Sequence, residues 1–162
     1  EVTFRRVVIP VQELLDTAGK YFRKSMKNRT ERIELEIGTV DAKVIGDLNQ
    51  LRFLLENLID EALAVHEDGL LRLQARQDDE YIRFLFTDTR REKSMEELNL
   101  LFYPNLARMT AGEKGELRGT EYLVCKQIVR DHDEFAGRRG CRINAEPSAD
   151  GGFTVYFTVP RR

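Results

Sequence analysis

Few side chains in this 162-residue sequence are of types, and at spacings, that chemistry can use. Its two histidines, His66 and His132, are too few for a zinc site and have no Cys, His or carboxylate partners at ligand spacing. Cys125 and Cys141 form no metal-ligand pattern, and each lies in a stretch that reads as packed, as expected of free buried thiols in a reducing compartment. Cys125 shares a helix face with Ile128 and Val129, which argues for a structural thiol over a nucleophile. No Ser-His-Asp or Cys-His arrangement can be assembled. Asp88 ends an apolar strand, where aspartate commonly caps the following turn. Glu121 opens a helix, where its carboxylate gains ~0.3–1 kcal/mol from the helix dipole and repels any anion the free N–H groups would attract.

The elements that must hold these residues are legible in the apolar pattern. After Pro10, the positions Val11, Leu14, Leu15, Ala18 and Phe22 recur at three and four, which predicts a helix from about Pro10 to Met26. Ile33, Leu35 and Ile37 alternate with charged residues, Gly38 and Asp41 supply turn chemistry, and Val44 and Ile45 follow, which predicts a hairpin. The stripe Leu51, Leu54, Leu55, Leu58, Ile59, Ala62 and Leu63 buries one face of a helix that Asp47 caps and Gly69 follows. Leu71, Leu73 and Ala75, then Ile82, Phe84 and Phe86, alternate across a turn at Asp78-Asp79 and form a second hairpin. Ser94 caps a short helix, MEELNLLF. Residues 103–119 have no clean period and are longer than ordinary connections, which marks them as a lid. A helix from Thr120 to about His132 and a third hairpin, Cys141–Ile143 with Phe153–Val159, complete the chain.

Composition bounds the function. Lys and Arg number 26 against 28 Asp and Glu, a net charge of −2, so no basic field favours nucleic acid or an anionic membrane. The pairs Arg138-Arg139 and Arg161-Arg162 are too short for a nucleic-acid footprint. Apolar runs such as Val7–Val11 are far below the ~20 residues of a membrane span. The opening at Glu1, without Met or a basic-then-apolar leader, reads as a boundary cut from something longer. With no repeat, linker or low-complexity tract, residues 1–162 read as one α+β domain: a two-layer sandwich with helices on one face of a mixed, mostly antiparallel sheet.

The pieces LRFLLENLIDEAL, FLFTDT, SMEELNLLFYP, GTEYLVCKQIVRDH and GGFTVYFTVP occur in a characteristic order and spacing. In these the chain resembles, from about Val7 to Pro160, the catalytic ATP-binding domain of two-component sensor histidine kinases, a GHKL-type ATPase domain. The resemblance implies that fold, ATP and Mg²⁺ as cofactors where the site works, and a cytoplasmic location in a longer, membrane-anchored sensor. It implies the parent's dimerisation and phosphoacceptor helices and a response regulator as partners, with no nucleic acid and no direct membrane contact.

Carried over residue by residue, the pattern is altered. In the family's N box two asparagines stand four apart and the second holds Mg²⁺; here Asn57 matches the first and Glu61 the second. Glu61 is then either a carboxylate ligand to Mg²⁺ or an ordinary exposed helix residue. Asp88 matches the acidic residue that accepts a hydrogen bond from the adenine amino group. The glycines expected after it are replaced by Arg90 and Glu92. Either the loop is rebuilt, or Arg90 or Arg91 folds back onto Asp88 and fills the adenine site with an ion pair, or one arginine reaches a phosphate as a bidentate donor. Counting back from Lys126, Gly119 matches one glycine of the second box and Glu121 stands where the next belongs, so a carboxylate occupies the phosphate's place. His66-Glu67 resembles the phosphoacceptor dipeptide but ends the N-box helix, and His132 is expected to pack or cap. The expectation is a sensor-protein ATPase-like domain with impaired or absent nucleotide binding, holding neither ATP nor Mg²⁺. The alternatives are an active ATP-dependent histidine kinase domain and a non-catalytic interaction module.

Overall fold

The computed structural model describes residues 3–104 and 120–162 in full and, between them, the backbone of two short strands at 110–111 and 117–118. Residues 105–109, 112–116 and 119 of the expected lid, Gly119 among them, lie outside the described residues. Strand β1 (Val7–Pro10) runs directly into helix α1 (Val11–Met26). Pro10 lacks an N–H for the ladder and presets its own φ, so it ends one element and starts the other. The first free helical N–H, of Val11, is satisfied by the Ala42 carbonyl at 2.9 Å. Val11, Leu14, Leu15, Ala18 and Phe22 are all buried, the stripe the periodicity predicts.

Strands β2 (Ile33–Ile37) and β3 (Lys43–Gly46) precede α2 (Leu48–Leu63), in which Asp47 Oδ1 accepts the Gln50 N–H at 3.0 Å. A long hairpin follows, β4 (Gly69–Asp78) and β5 (Tyr81–Asp88), turning at Asp79, whose φ of 56° is left-handed. Helix α3 (Met95–Asn99) is closed by a capping box between Ser94 and Glu97. The small pair β6 (Thr110–Ala111) and β7 (Leu117–Arg118), helix α4 (Glu121–Phe135) and the hairpin β8 (Ile143–Pro147) and β9 (Phe153–Pro160) complete the order.

The main sheet runs β2-β4-β5-β9-β8, with β2 parallel to β4 and the other neighbours antiparallel. This mixed sheet with helices on one face is the architecture the pattern predicts. Leu71, Leu73, Ile82, Phe84, Val155, Phe157 and Val159 line the covered face, and the rings of Phe84 and Phe157 stack at 4.7 Å. Each fully buried Leu of α2 against this face, Leu54, Leu55 and Leu58, contributes about 1.5–3 kcal/mol. On the open face Arg83 lies over the Tyr156 ring at 4.6 Å.

The expected first hairpin does not form. β2 pairs in parallel with β4, Ile33 opposite Gly69 and Ile37 opposite Leu73, while β3 pairs with β1. The turn residues between β2 and β3 join two different sheets. A parallel pair needs a long crossover, and α2 provides it. β1 is the partner that local reading lacks.

Candidate functional site

Asp88 is the last residue of β5 and is buried. Its Oδ1 accepts the Arg90 backbone N–H at 3.0 Å, a local Asx turn, and the Arg90 Nε at 2.9 Å; its Oδ2 accepts Arg90 Nη2 at 2.9 Å. The remaining guanidinium donors go to the carboxyl-terminal end of α2: Nη2 to Ala62 O at 2.6 Å, and Nη1 to Val65 O at 3.1 Å and Glu67 O at 2.8 Å. All five N–H groups of Arg90 are used, and its side chain is 1% exposed. Burying a guanidinium is costly unless every donor is matched, and here each one is. α2 has no basic residue in its own last turn, so Arg90 also supplies the cation that the negative end of the helix dipole favours.

Two glycines make room for this arrangement, and sequence reading assigned neither a part in the site. A Cβ on Gly69 would lie 2.4 Å from Arg90 Cγ, and one on Gly152 would lie 1.9 Å from the Asp88 carbonyl oxygen. Both residues have positive φ, +144° and +77°. The available signal was Gly152's place in the PSADGG turn, whose register opposite Asp88 local pattern does not reveal.

Beside Asp88 a cavity of ≈ 280 Å³ opens between helix and sheet. Leu58, Ala62 and Val65 of the α2 side face Phe86, Phe153 and Val155 of the sheet across it. Asp88, Glu61, Arg91, Lys93 and Tyr122 complete the lining; Arg90 is not part of it. The expectation that an arginine folds onto Asp88 holds in its first half, through Arg90 and not Arg91. Its second half is corrected: the pair sits toward the end of α2 and leaves the cavity open. Arg91 instead pairs with Glu67 at 3.3 Å, and Lys93 Nζ lies 5.4 Å above the Phe153 ring.

The side of the cavity that α2 and α4 form is acidic. Glu61 lines it on α2, and Glu121 stands in the first turn of α4 next to Tyr122. Oε2 of Glu121 is buried with no hydrogen-bond partner among the described residues. The Cys125 thiol is pushed up in pKa first by burial and then by Glu121 and Glu61, so both carboxylates bear on one point of the α2–α4 seam. Burial and Glu121 also raise Asp60, against the Tyr21 hydroxyl that donates to it at 2.6 Å. Thr120 caps α4 without a side-chain hydrogen bond.

The other candidates settle into packing. Asn57 is buried, donates to Phe53 O at 2.7 Å within its own helix, and does not line the cavity. His132 is buried; its Nε2 accepts the Asp47 N–H at 3.0 Å and its Nδ1 donates to Ile128 O at 2.9 Å, so the neutral ring ties α4 to the start of α2. His66 is exposed and bonds Glu31 at 2.5 Å. The buried Cys125 is the structural thiol expected, its Sγ 3.6 Å from Leu54 O. Lys126 reaches Phe102 O at 3.4 Å and covers the Tyr103 ring, away from the cavity. Among the described residues no three His, Cys, Asp or Glu come together to hold a metal, and no helix is long and apolar enough to cross a membrane.

An open mixed sheet under helices, with a slot between a helix and a carboxylate at a strand end, is the layout of an ATPase domain of the histidine-kinase type. The chain belongs to the family of histidine kinase-, DNA gyrase B- and HSP90-like ATPases, whose pattern matches residues 46–162. It is 26% identical to the signal transduction histidine-protein kinase BaeS of Escherichia coli (strain K12), over 98% of this chain and 33% of BaeS. The chain thus spans about a third of the length of that relative. Among solved structures it is similar to the mycobacterial sensor histidine kinase MprB, with a TM-score of 0.73 and 20% identity over 98% of this chain and 99% of that one. It is also similar to histidine kinase ThkA crystallised with the response regulator TrrA, with a TM-score of 0.72 and 17% identity over 98% of this chain and 42% of that one.

Proposed function

We propose that this chain is the ATPase-like domain of a two-component sensor protein in which the site has turned against ATP. In this reading it transmits conformation to its parent's dimerisation helices on the cytoplasmic side and contributes little phosphoryl transfer. The observation that carries the proposal is the buried Oε2 of Glu121 at the first turn of α4, without a hydrogen-bond partner among the described residues, with Glu61 bearing on the same seam. The slot beside Asp88 suits a flat base. The acidic end does not suit a triphosphate, because two like charges about 5 Å apart repel by about 3 kcal/mol at an effective dielectric near 20. Glu61 can ligate Mg²⁺ by its chemistry, but Glu121 returns a negative charge to the helix end that would otherwise hold phosphate. A response regulator, which ThkA binds as TrrA, is the partner proposed for the parent protein.

Titration with Mg-ATP, with and without Glu121→Gly, tests this. The unmodified chain is expected to show no saturation at millimolar nucleotide and the variant to gain binding. Micromolar binding by the unmodified chain overturns the reading. The open cavity favours a second reading, an active kinase domain in which Glu61 holds Mg²⁺, Asp88 reads adenine and an arginine replaces glycine contacts; that same micromolar result would support it.

A further inference from the structure

We infer that residues 4–6 form an acid-released strap: it is closed over His132 while that ring is neutral, and protonation of the ring opens it. The strap joins the start of α2 to the end of α4, two helices that both line the cavity, and it works whether or not nucleotide binds there.

The chain enters β1 through Phe4, Arg5 and Arg6, and all three attach around one point. The Phe4 ring meets the His132 ring edge to face, with centroids 4.8 Å apart, and tilts against the Phe135 ring at 5.7 Å. The Arg5 backbone N–H donates to Asp47 Oδ2 at 2.8 Å. The Arg6 guanidinium lies over Gly137, just past the end of α4, where an added Cβ would come within 2.6 Å of Nη2. Asp47 is the shared partner beneath: its N–H donates to His132 Nε2 at 3.0 Å, its Oδ1 caps α2 and its Oδ2 holds the strap.

This arrangement requires a neutral ring. Nδ1 already donates to Ile128 O at 2.9 Å, so an added proton goes to Nε2 and faces the Asp47 N–H, two donors head to head. The ring is held in that direction, because it packs on Gly46 so closely that a Cβ there would lie 2.8 Å from its Cδ2 and Nε2. The Asp47 carboxylate, whose charge bears on the ring, is the acceptor the new N–H draws on, at the expense of the Arg5 N–H. The carboxylates that face the ring, Asp47 at the start of α2 and Asp131 on α4, favour the proton; the strap brings the Arg6 cation beside Gly137, and β3 meets the ring through Gly46. Burial outweighs the carboxylates and holds the ring's pKa below 6.5 while the strap is closed. Opening returns the ring to water and to its ordinary value. The closed form is therefore fully favoured above pH 6.5 and loses ground as pH falls from there to the lower closed-state value.

Amide hydrogen exchange of the whole chain, read by NMR as protection relative to an unfolded peptide between about pH 7.5 and about pH 5, tests the inference. Protection of the Arg5 and Asp47 amides is expected to fall by about tenfold per pH unit below 6.5, as one proton is taken up on opening, while amides of β5 and β9 hold. His132→Gln is expected to abolish that fall. Phe4→Ala, which leaves the ring and its hydrogen bonds in place, is expected to expose the Arg5 amide already at about pH 7.5, and it decides the matter should His132→Gln fail to fold. If the Arg5 amide of the unmodified chain stays protected down to about pH 5, the strap is refuted. A parallel loss in β5 and β9 makes the opening global and overturns the inference, and a fall that persists in His132→Gln assigns the proton to another group and overturns it too. Full protection of Arg5 in Phe4→Ala at about pH 7.5 removes the packing on His132 as the closure.

Discussion

At the strand end of the cavity, the charge of Arg90 is matched donor by donor, by Asp88, by the Ala62 carbonyl in the last turn of α2 and by the Val65 and Glu67 carbonyls just past it. At the α2–α4 end, a buried oxygen of the Glu121 carboxylate has no hydrogen-bond partner among the described residues. A charged side chain beside the cavity therefore has two different consequences. Where its charge is neutralised internally it becomes part of the scaffold, and the space beside it stays usable. Where its charge is left uncompensated, it imposes a condition on any ligand.

The largest effect should come from breaking the matched end. Arg90→Ala strands a buried carboxylate, the Ala62 carbonyl of α2 and the Val65 and Glu67 carbonyls after it, and removal of one partner of a buried pair costs about 3–5 kcal/mol. Urea denaturation reads this directly, and Arg90→Lys should recover little, since an ammonium has three donors and no planar fork. A loss below about 1 kcal/mol would put Arg90 on the same footing as an exposed pair. Next comes Gly152→Ala, where left-handed backbone strain alone costs about 1–3 kcal/mol and the added Cβ meets the Asp88 carbonyl. An unchanged melting temperature would show that this turn does not press on the site.

The unmatched end should respond in the opposite sense. Glu121→Gln removes a buried charge without removing volume, so stability should hold or rise, by no more than about 1 kcal/mol, and Mg-ATP binding should strengthen. A clear loss of stability would reveal a partner for that carboxylate.

Acidification sharpens the contrast through His132. Burial holds its pKa below the ordinary 6.5, against smaller opposing contributions from the Ile128 carbonyl, Asp47 and Asp131. As pH falls through 6.5 the unfolded chain binds a proton that the folded chain does not, so stability declines until the lower folded value is reached. Asp60, raised chiefly by burial, acts in reverse and gains stability on acidification through its folded pKa. The decline measured below neutral pH should flatten in His132→Gln, and an identical profile in that variant would remove His132 from the account. The smallest effect is reserved for Arg72→Ala on the open sheet face. Its bond to Glu36 at 3.0 Å resembles Arg90–Asp88 in chemistry, but the partners are 30% and 60% exposed, and such pairs contribute about 0–1 kcal/mol.

Much of this fold is written in local pattern. α1, α2 with its Asp47 cap, α4 and the hairpins β4–β5 and β8–β9 all bury the residues their periods mark, because each is stabilised by neighbours close in sequence. Local pattern joins β2 and β3 wrongly because their true partners are distant: Gly69–Leu73 for β2 and Val7–Pro10 for β3. The site divides in the same way. The places of Asp88 at a strand end and of Glu121 at a helix start are legible in the sequence, whereas Asn57 turns to the Phe53 carbonyl, a choice of rotamer that spacing does not reveal. Which arginine meets Asp88 was open among three arrangements, and the part of Gly69 and Gly152 was invisible.

The amino-acid order alone determines that charged side chains follow the end of β5 and open α4, since this depends only on residue type and position. Tertiary structure decides whether each charge is cancelled. Arg90 finds acceptors because β5 ends beside the last turn of α2 and the residues just after it, whose carbonyls point toward it, while no described donor reaches Oε2 of Glu121 at the start of α4. Electrostatic cancellation depends on distances of a few ångströms between elements far apart in the chain, and those distances exist only once the sheet and helices have packed.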